Sequence, residues 1–213
     1  MKIVIALATR GSDLYYKLIE FILAQTKKYD IEVTFDVCGY SAEISQRMMF
    51  LRLIDMKFDY CLLVDTDVAP PLNTLDKLLA AKKDIITAPV WHFDPWSQDV
   101  HLNVAKGEGP DGFIRQYEQP VSGIEEVSTA SYACVLFSRK IFDRFRDTGE
   151  SFVEWSPLID QGYLGRPTDN ILYAKVRKLG FPVFVDWSIK GAIHNRLVML
   201  DDLTIENIQR MKK

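Results

Sequence analysis

The sequence predicts an α/β domain with a mostly parallel central sheet flanked by helices. Three observations predict it. Over residues 1–90, short apolar runs of strand length alternate with segments whose apolar residues recur at helical spacing. Glycine, proline and short polar capping residues punctuate the joins. One apolar run, Tyr60 to Val64, leads straight into Asp65-Thr66-Asp67. Open α/β sheets bind ligands at the C-terminal ends of such strands.

The elements follow in order. Lys2 to Ala8 reads as a first strand, and Thr9-Arg10-Gly11-Ser12 as a turn in which Ser12 or Asp13 can cap a helix. Leu14, Leu18, Ile19, Ile22 and Leu23 place an apolar face on that helix, which runs to about Lys28. Ile31 to Val37 is a second strand closed by Gly39. Ser41 can cap a second helix with Ile44, Met48, Leu51 and Ile54 on one face and Arg47 near its start. The strand carrying Asp65 and Asp67 comes third and is stopped by Pro70 and Pro71, because proline cannot donate to a ladder. Leu72 to Ala81 is a third helix and Asp84 to Val90 a fourth strand.

After Val90 the pattern breaks. Residues 91–125 read as a long irregular loop, rich in aromatics and glycine, with a short strand or hairpin at Gly112 to Tyr117. Val127 to Ser138 resumes strand character and Arg139 to Arg146 is helical. A second loop, 147–168, carries Trp155, Tyr163 and Arg166. Thr168 caps a helix from Asp169 to Leu179, stopped by Gly180. Phe181 to Asp186 is a strand, His194 follows a short loop, and Asp202 to Lys213 reads as a terminal helix or tail. No repeat, low-complexity segment or linker divides the chain, which is expected to form a single domain.

Composition sets bounds on the partners. The chain has 213 residues, is 48% hydrophobic and carries a net charge of -3. No basic stripe marks a nucleic-acid surface, and no apolar run approaches the ~20 residues of a membrane span. Cys38, Cys61 and Cys134 lie in or beside apolar strands without CxxC spacing, which fits reduced thiols and a cytoplasmic protein. The apolar start, Lys2 to Ala8, is interrupted by Arg10 and Asp13 before any small-residue cleavage site, so it reads as a strand rather than a signal peptide.

The acids carry the chemistry. Side chains alternate along a strand, so Asp65 and Asp67 are expected to point the same way and Thr66 the other. Two like charges that close resist joint ionisation, and a divalent cation bearing a phosphate removes the conflict. Either acid could instead cap the turn. Asp169 alone reads as a first-turn acid complementing the helix dipole, and His194 alone as an ordinary polar residue.

Their order along the chain is more informative. βα units, then Asp65-Thr66-Asp67, an aromatic loop, strand and helix, an acid opening a helix at Asp169, then a strand and His194 resemble the GT-A (Rossmann-like) fold of nucleotide-sugar glycosyltransferases, particularly family 2-like members. The resemblance spans nearly the whole chain. It implies a nucleotide-binding half at residues 1–90 and an acceptor-side half at 91–213. It also implies transfer of a sugar from a nucleoside-diphosphate sugar, with UDP or GDP, to the hydroxyl of a glycan, glycoprotein or small acceptor. Asp67 is implied as a direct metal ligand, His194 as completing the site, and Asp65 as binding the metal through water or holding the ribose. Asp169 is implied as the base that takes the acceptor proton in an inverting enzyme; in a retaining one it positions the acceptor or stabilises positive charge on the sugar. Donor contacts are implied at Thr9, Arg10, Asp36 and Arg47, and Arg166 could reach a donor phosphate. Two departures stand out. Thr168-Asp169 replaces the usual Glu-Asp pair, and Asp36-Val-Cys-Gly-Tyr-Ser replaces the acidic turn after the second strand.

The expected chemistry fits these residue types. Charge develops on the leaving diphosphate, and carboxylates with an imidazole suit Mn²⁺ or Mg²⁺, the imidazole favouring Mn²⁺. Trp91, Trp96, Trp155 and Tyr163 either stack on sugar rings or anchor the loops. Two other enzyme classes compete. A haloacid-dehalogenase-type phosphatase would use Asp65 as nucleophile, but usually carries that motif on its first strand. A sugar-nucleotide pyrophosphorylase would want a glycine-rich basic loop where Thr9-Arg10-Gly11-Ser12 stands. A catalytically inactive carbohydrate- or nucleotide-binding relative is the third alternative.

Overall fold

The computed structural model describes residues 1–9, 14–37, 42–94, 99–107, 114–115, 120, 122–151, 168–190 and 192–194. Within these, residues 8–9, 36–37, 42–46, 92–94, 99–101, 114–115, 168–170 and 192–194 are described by backbone alone. The described chain runs β1 (Lys2–Thr9), α1 (Tyr16–Thr26), β2 (Asp30–Val37), α2 (Ala42–Asp55), β3 (Tyr60–Asp65), β4 (Val68–Ala69), α3 (Thr74–Ala80) and β5 (Ile85–Thr87). It continues through β6 (Val90–Asp94), β7 (Asp99–Leu102), β8 (Val104–Lys106), β9 (Ile114–Arg115), β10 (Ile124–Val127), β11 (Thr129–Ala130) and β12 (Cys134–Ser138). It closes with α4 (Arg139–Thr148), α5 (Thr168–Lys178), β13 (Val183–Asp186) and β14 (Ala192–His194).

The main sheet has seven strands in the order β10-β13-β5-β12-β3-β1-β2. β1, β2, β3, β5 and β13 run one way; β12 and β10 run against them. The mostly parallel α/β expectation therefore holds. Burial on both faces explains the near-continuous apolar run of β3, since Cys61, Leu62, Leu63 and Val64 are each at most 1% exposed. One face packs Ile3, Ile5, Leu7, Leu62 and Val64 under Leu18 and Phe21 of α1. The other packs Val4, Ala6, Cys61 and Leu63 against Met49, Phe50 and Leu53 of α2 and Phe142 of α4.

Three sequence expectations need correction. Residues 91–125 are rich in strands rather than irregular: β6, β7, β8, β9 and the start of β10 fall there. They are short and divided among three sheets, which leaves no long apolar alternation to read. The predicted strand Asp84 to Val90 splits into β5 and β6 at Ala88-Pro89, where proline removes a donor. The buried face of α2 is Met49, Phe50 and Leu53, while Met48 and Leu51 are 49% and 51% exposed. Two apolar stripes compete on that helix, and the one carrying Phe50 wins because its ring meets Phe137 and Phe142 edge-on or tilted.

Two arginines finish α2. Arg139 reaches its C-terminus and donates to the carbonyls of Leu53 (3.1 Å), Ile54 (2.7 Å) and Met56 (2.6 Å), so a cation closes the negative end of the helix. Arg52 turns outward to the edge strand β2 and donates to the Phe35 carbonyl at 2.8 Å. Gly180 stops α5 as expected. At φ 92° it closes a left-handed cap in which Phe181 N–H donates to the Val176 carbonyl and Gly180 N–H to that of Arg177. Cys61 and Cys134 are buried free thiols. Among the described residues no helix is long and apolar enough to cross a membrane. The predicted segment Asp202 to Lys213 lies outside the described residues.

Candidate functional site

The site assembles at the C-terminal edge of the parallel strands. Ala8 of β1 pairs with Asp36 of β2 on one side and Asp65 of β3 on the other, so the two acids stand in one register row two strand spacings apart, ~10 Å. Thr9 follows in the next row, paired with Val37. Three of the predicted donor contacts, Thr9, Asp36 and Asp65, thus share one stretch of sheet edge.

β3 ends at Asp65. Thr66 and Asp67 form the turn into β4, so the strand alternation expected to align the two acids extends only to Asp65. The turn is pinned from two sides. Asp65 N–H donates to the Ala133 carbonyl at 3.0 Å, and Tyr15 N–H donates to the Thr66 carbonyl at 3.1 Å. The second bond brings the connection between β1 and α1 to the turn. Asp65 and Asp67 are both half-buried. Next to them, burial pushes the Cys134 thiol up to about 12, and the Asp65 charge adds to that rise.

β4 leaves the main sheet and joins a four-stranded one, β4-β14-β6-β7. In it His194 of β14 lies opposite Val68, the residue after Asp67, and Ile193 lies opposite Ala69. Two short strands thus bring His194 opposite the residue that follows Asp67, although His194 and Asp67 lie 127 positions apart in sequence. Among the described residues no group of three or more His, Cys, Asp or Glu side chains gathers. His194 and Asp169 are described by backbone alone and stand apart from that statement.

Topology also places Asp169. α5 turns through Gly180 into β13, which is parallel to β5 and therefore to β3. The helix must run back along the sheet, so its first turn, with Asp169, lies at the edge that bears Asp65. The positive end of its dipole is there too. Arg47 stands exposed in α2, ~8 Å along the helix from Ala42, whose end also starts at this edge. Arg10 and Arg166 lie outside the described residues, as do Trp96, Trp155 and Tyr163. Trp91 is 6% exposed and packs in the core, so of its two expected roles the anchoring one is observed.

The sequence reading missed the turn at residues 131–134, taken as part of one strand from Val127 to Ser138. It is a buried junction: Ser131 N–H donates to the Asn103 carbonyl (2.6 Å), Ala133 N–H to Ser131 Oγ (3.1 Å), and Ala88 N–H to the Cys134 carbonyl (3.0 Å). The signal was Ser131, a hydroxyl in the middle of an apolar run, where it can turn the chain on itself.

No family model matches the sequence, and no curated protein matches it. Solved structures do resemble it. A197 from STIV aligns with a TM-score of 0.58 at 14% identity, over 92% of this chain and 86% of that one. TarS 1-349 from S. aureus, in complex with UDP-GlcNAc, aligns with a TM-score of 0.52 at 12% identity over 99% of this chain; the match covers 64% of the TarS chain. The inositol-1-phosphate CTP transferase from T. maritima aligns with a TM-score of 0.50 at 13% identity, over 100% of this chain and 97% of that one. At these identities the likeness shows the fold: the chain adopts the GT-A fold.

Proposed function

We propose that this protein transfers a sugar from a nucleoside-diphosphate sugar to an acceptor hydroxyl, with Mn²⁺ or Mg²⁺ bound at Asp67, His194 and Asp65. The observation that carries the reading is the pairing of β14 with β4, which sets the backbone of His194 opposite Val68, the residue next to Asp67, at the C-terminal edge of a GT-A sheet. The donor set fits the ion: two half-buried carboxylates and an imidazole on an adjacent strand suit a hard or borderline divalent cation. When bound, that cation takes up negative charge on the departing diphosphate.

The remaining work falls to the chain. Thr9 and Asp36 line the edge where the nucleoside rests, and Asp65 holds ribose or a metal-bound water. Arg10, Arg47 and Arg166 are assigned to binding the donor, Arg166 through a phosphate. Asp169, at the positive end of α5, accepts the acceptor proton in an inverting transfer or positions the acceptor in a retaining one. The donor nucleotide is UDP or GDP, and a cytoplasmic location agrees with two buried free thiols. The phosphatase alternative gains no support from a sheet in which two βα units precede the acid pair.

The likeness to a CTP transferase over the full chain favours one second reading, transfer of a nucleotidyl group at the same edge. Thermal shift with UDP, GDP and CTP, each with and without Mn²⁺, tests the proposal. A rise in melting temperature with UDP or GDP that requires the metal is expected. Stabilisation by CTP alone, with pyrophosphate released in turnover, selects the second reading. Indifference to all three nucleotides rejects both.

A further inference from the structure

The buried turn at 131–134 joins the two parts of the site that the proposed reaction must hold in register. The ring of Tyr173 on α5 is fully buried, and its hydroxyl donates to the Ser131 carbonyl at 3.3 Å. Thr87 Oγ1 of β5 approaches the same carbonyl at 3.1 Å and that of Cys134 at 3.0 Å. Ser131 Oγ accepts from Ala133 N–H, and the Ala133 carbonyl accepts from Asp65 N–H. A continuous polar path thus runs from Tyr173 through Ser131 and Ala133 to Asp65. Asp169 stands one helical turn before Tyr173, ~6 Å along the axis.

We propose that Tyr173 is a positioning residue, whose hydroxyl ties the first turn of α5, and Asp169 with it, to the Asp65 end of β3. The inference rests on the reading of Asp169 as the group that handles the acceptor. α5 docks through apolar contacts in any case: Leu172, the Tyr173 ring and Val176 are at most 2% exposed. That packing holds the helix on the sheet but leaves its first turn free to slide. A directional bond to the carbonyl of a residue whose N–H is held by Asn103 and whose hydroxyl is held by Ala133 removes the slide. Displacements of about 1 Å cost on the order of a hundredfold in rate when a group must meet a reacting atom, so a small tie has a large kinetic effect.

Tyr173→Phe keeps the ring and deletes the hydroxyl. The test measures release of nucleoside diphosphate from a panel of UDP- and GDP-sugars with Mn²⁺, in the wild type and the variant, alongside amide hydrogen exchange of both without substrate. Turnover at saturating donor is expected to fall about tenfold, with donor KM and Mn²⁺ dependence unchanged, because donor and metal sit on the β1–β3 edge. Exchange is expected to quicken at residues 168–172 and to stay protected at 174–178. Equal turnover in an active wild type, or unchanged exchange, overturns the tie alone. A rise in KM that tracks the loss of turnover, with uniformly faster exchange over α5, marks a merely structural role and also overturns it. A wild type that consumes no donor overturns the proposed function, and this inference with it.

Discussion

His194 stands opposite Val68, the first residue of β4, and Asp67 immediately precedes Val68 in the turn from β3. The link is local and stiff. One residue, Thr66, separates Asp67 from the end of β3, whose middle four residues are buried, and β14 is held between β4 and β6. A metal site built this way needs no movement of domains to form.

That geometry yields the first prediction. Asp67→Ala is expected to abolish the metal-dependent stabilisation by UDP or GDP, and His194→Ala to weaken Mn²⁺ binding by about tenfold to a hundredfold. Both variants are expected to keep the melting temperature of the metal-free protein. Titration calorimetry of Mn²⁺ in the presence of nucleotide reads both. Full Mn²⁺ affinity in the His194 variant removes the histidine from the site.

Helix α2 supplies the second. Phe50, 2% exposed and in contact with Phe137 and Phe142, is expected to cost about 3–5 kcal/mol when cut to alanine. Met48, 49% exposed, is expected to stay within about 0.5 kcal/mol on the same change. Urea unfolding of the two variants decides which stripe of the helix is buried.

A third concerns alkaline pH. Tyr29 donates to Asp76, and that bond, with burial and the Asp76 charge, raises its pKa from 10.0 to about 12. The folded state therefore favours the neutral phenol more than the unfolded chain does. Its contribution is whole below pH 10 and declines as pH climbs from 10 to about 12. Tyr29→Phe is expected to flatten that part of the stability profile. Urea midpoints at pH 9 and pH ~11.5 measure the difference, and an equal fall in both proteins would refute the assignment.

Arg139 gives the fourth. Its guanidinium satisfies three end carbonyls of α2, lies over the Phe58 ring at 5.0 Å and pairs with Asp143 at 2.9 Å. Arg139→Met keeps the apolar stem but strands those carbonyls, for a loss of about 2–3 kcal/mol. Asp143→Ala removes only part-exposed ion pairs, to Arg139 and Arg146, and is expected to cost under about 1 kcal/mol. If the two variants unfold at the same urea concentration, the cap is not what Arg139 contributes.

The first three strands, their helices and Asp65 were legible because local signals decide them: unbroken apolar runs, helical spacing and stops at glycine or proline. Gly180 is the clearest, since its left-handed cap is set by a backbone that other residues adopt at a cost. What escaped the sequence was long-range. Nothing in the neighbourhood of Cys134 says that β12 inserts between β3 and β5, nor that two-residue β4 meets β14. Strands of two or three residues carry too few side chains to show alternation, and their partners lie up to 126 positions away (Val68 and His194). The choice between apolar stripes on α2 was likewise made by Phe142 of a helix ninety positions downstream, beyond the reach of any window on the helix itself.

The arginine at the margin of the sheet has a practical side. β2 is the last strand of seven, eight residues long, with Phe35 59% and Val33 38% exposed. An open strand of that kind invites stray chains to add to it and seed precipitation. Arg52 covers the Phe35 carbonyl with a charged group from the protein's own crossover helix. An incoming strand would have to displace that charge to continue the ladder. Arg52 is therefore expected to contribute to shelf life in concentrated solution, a property with no bearing on sugars or metals.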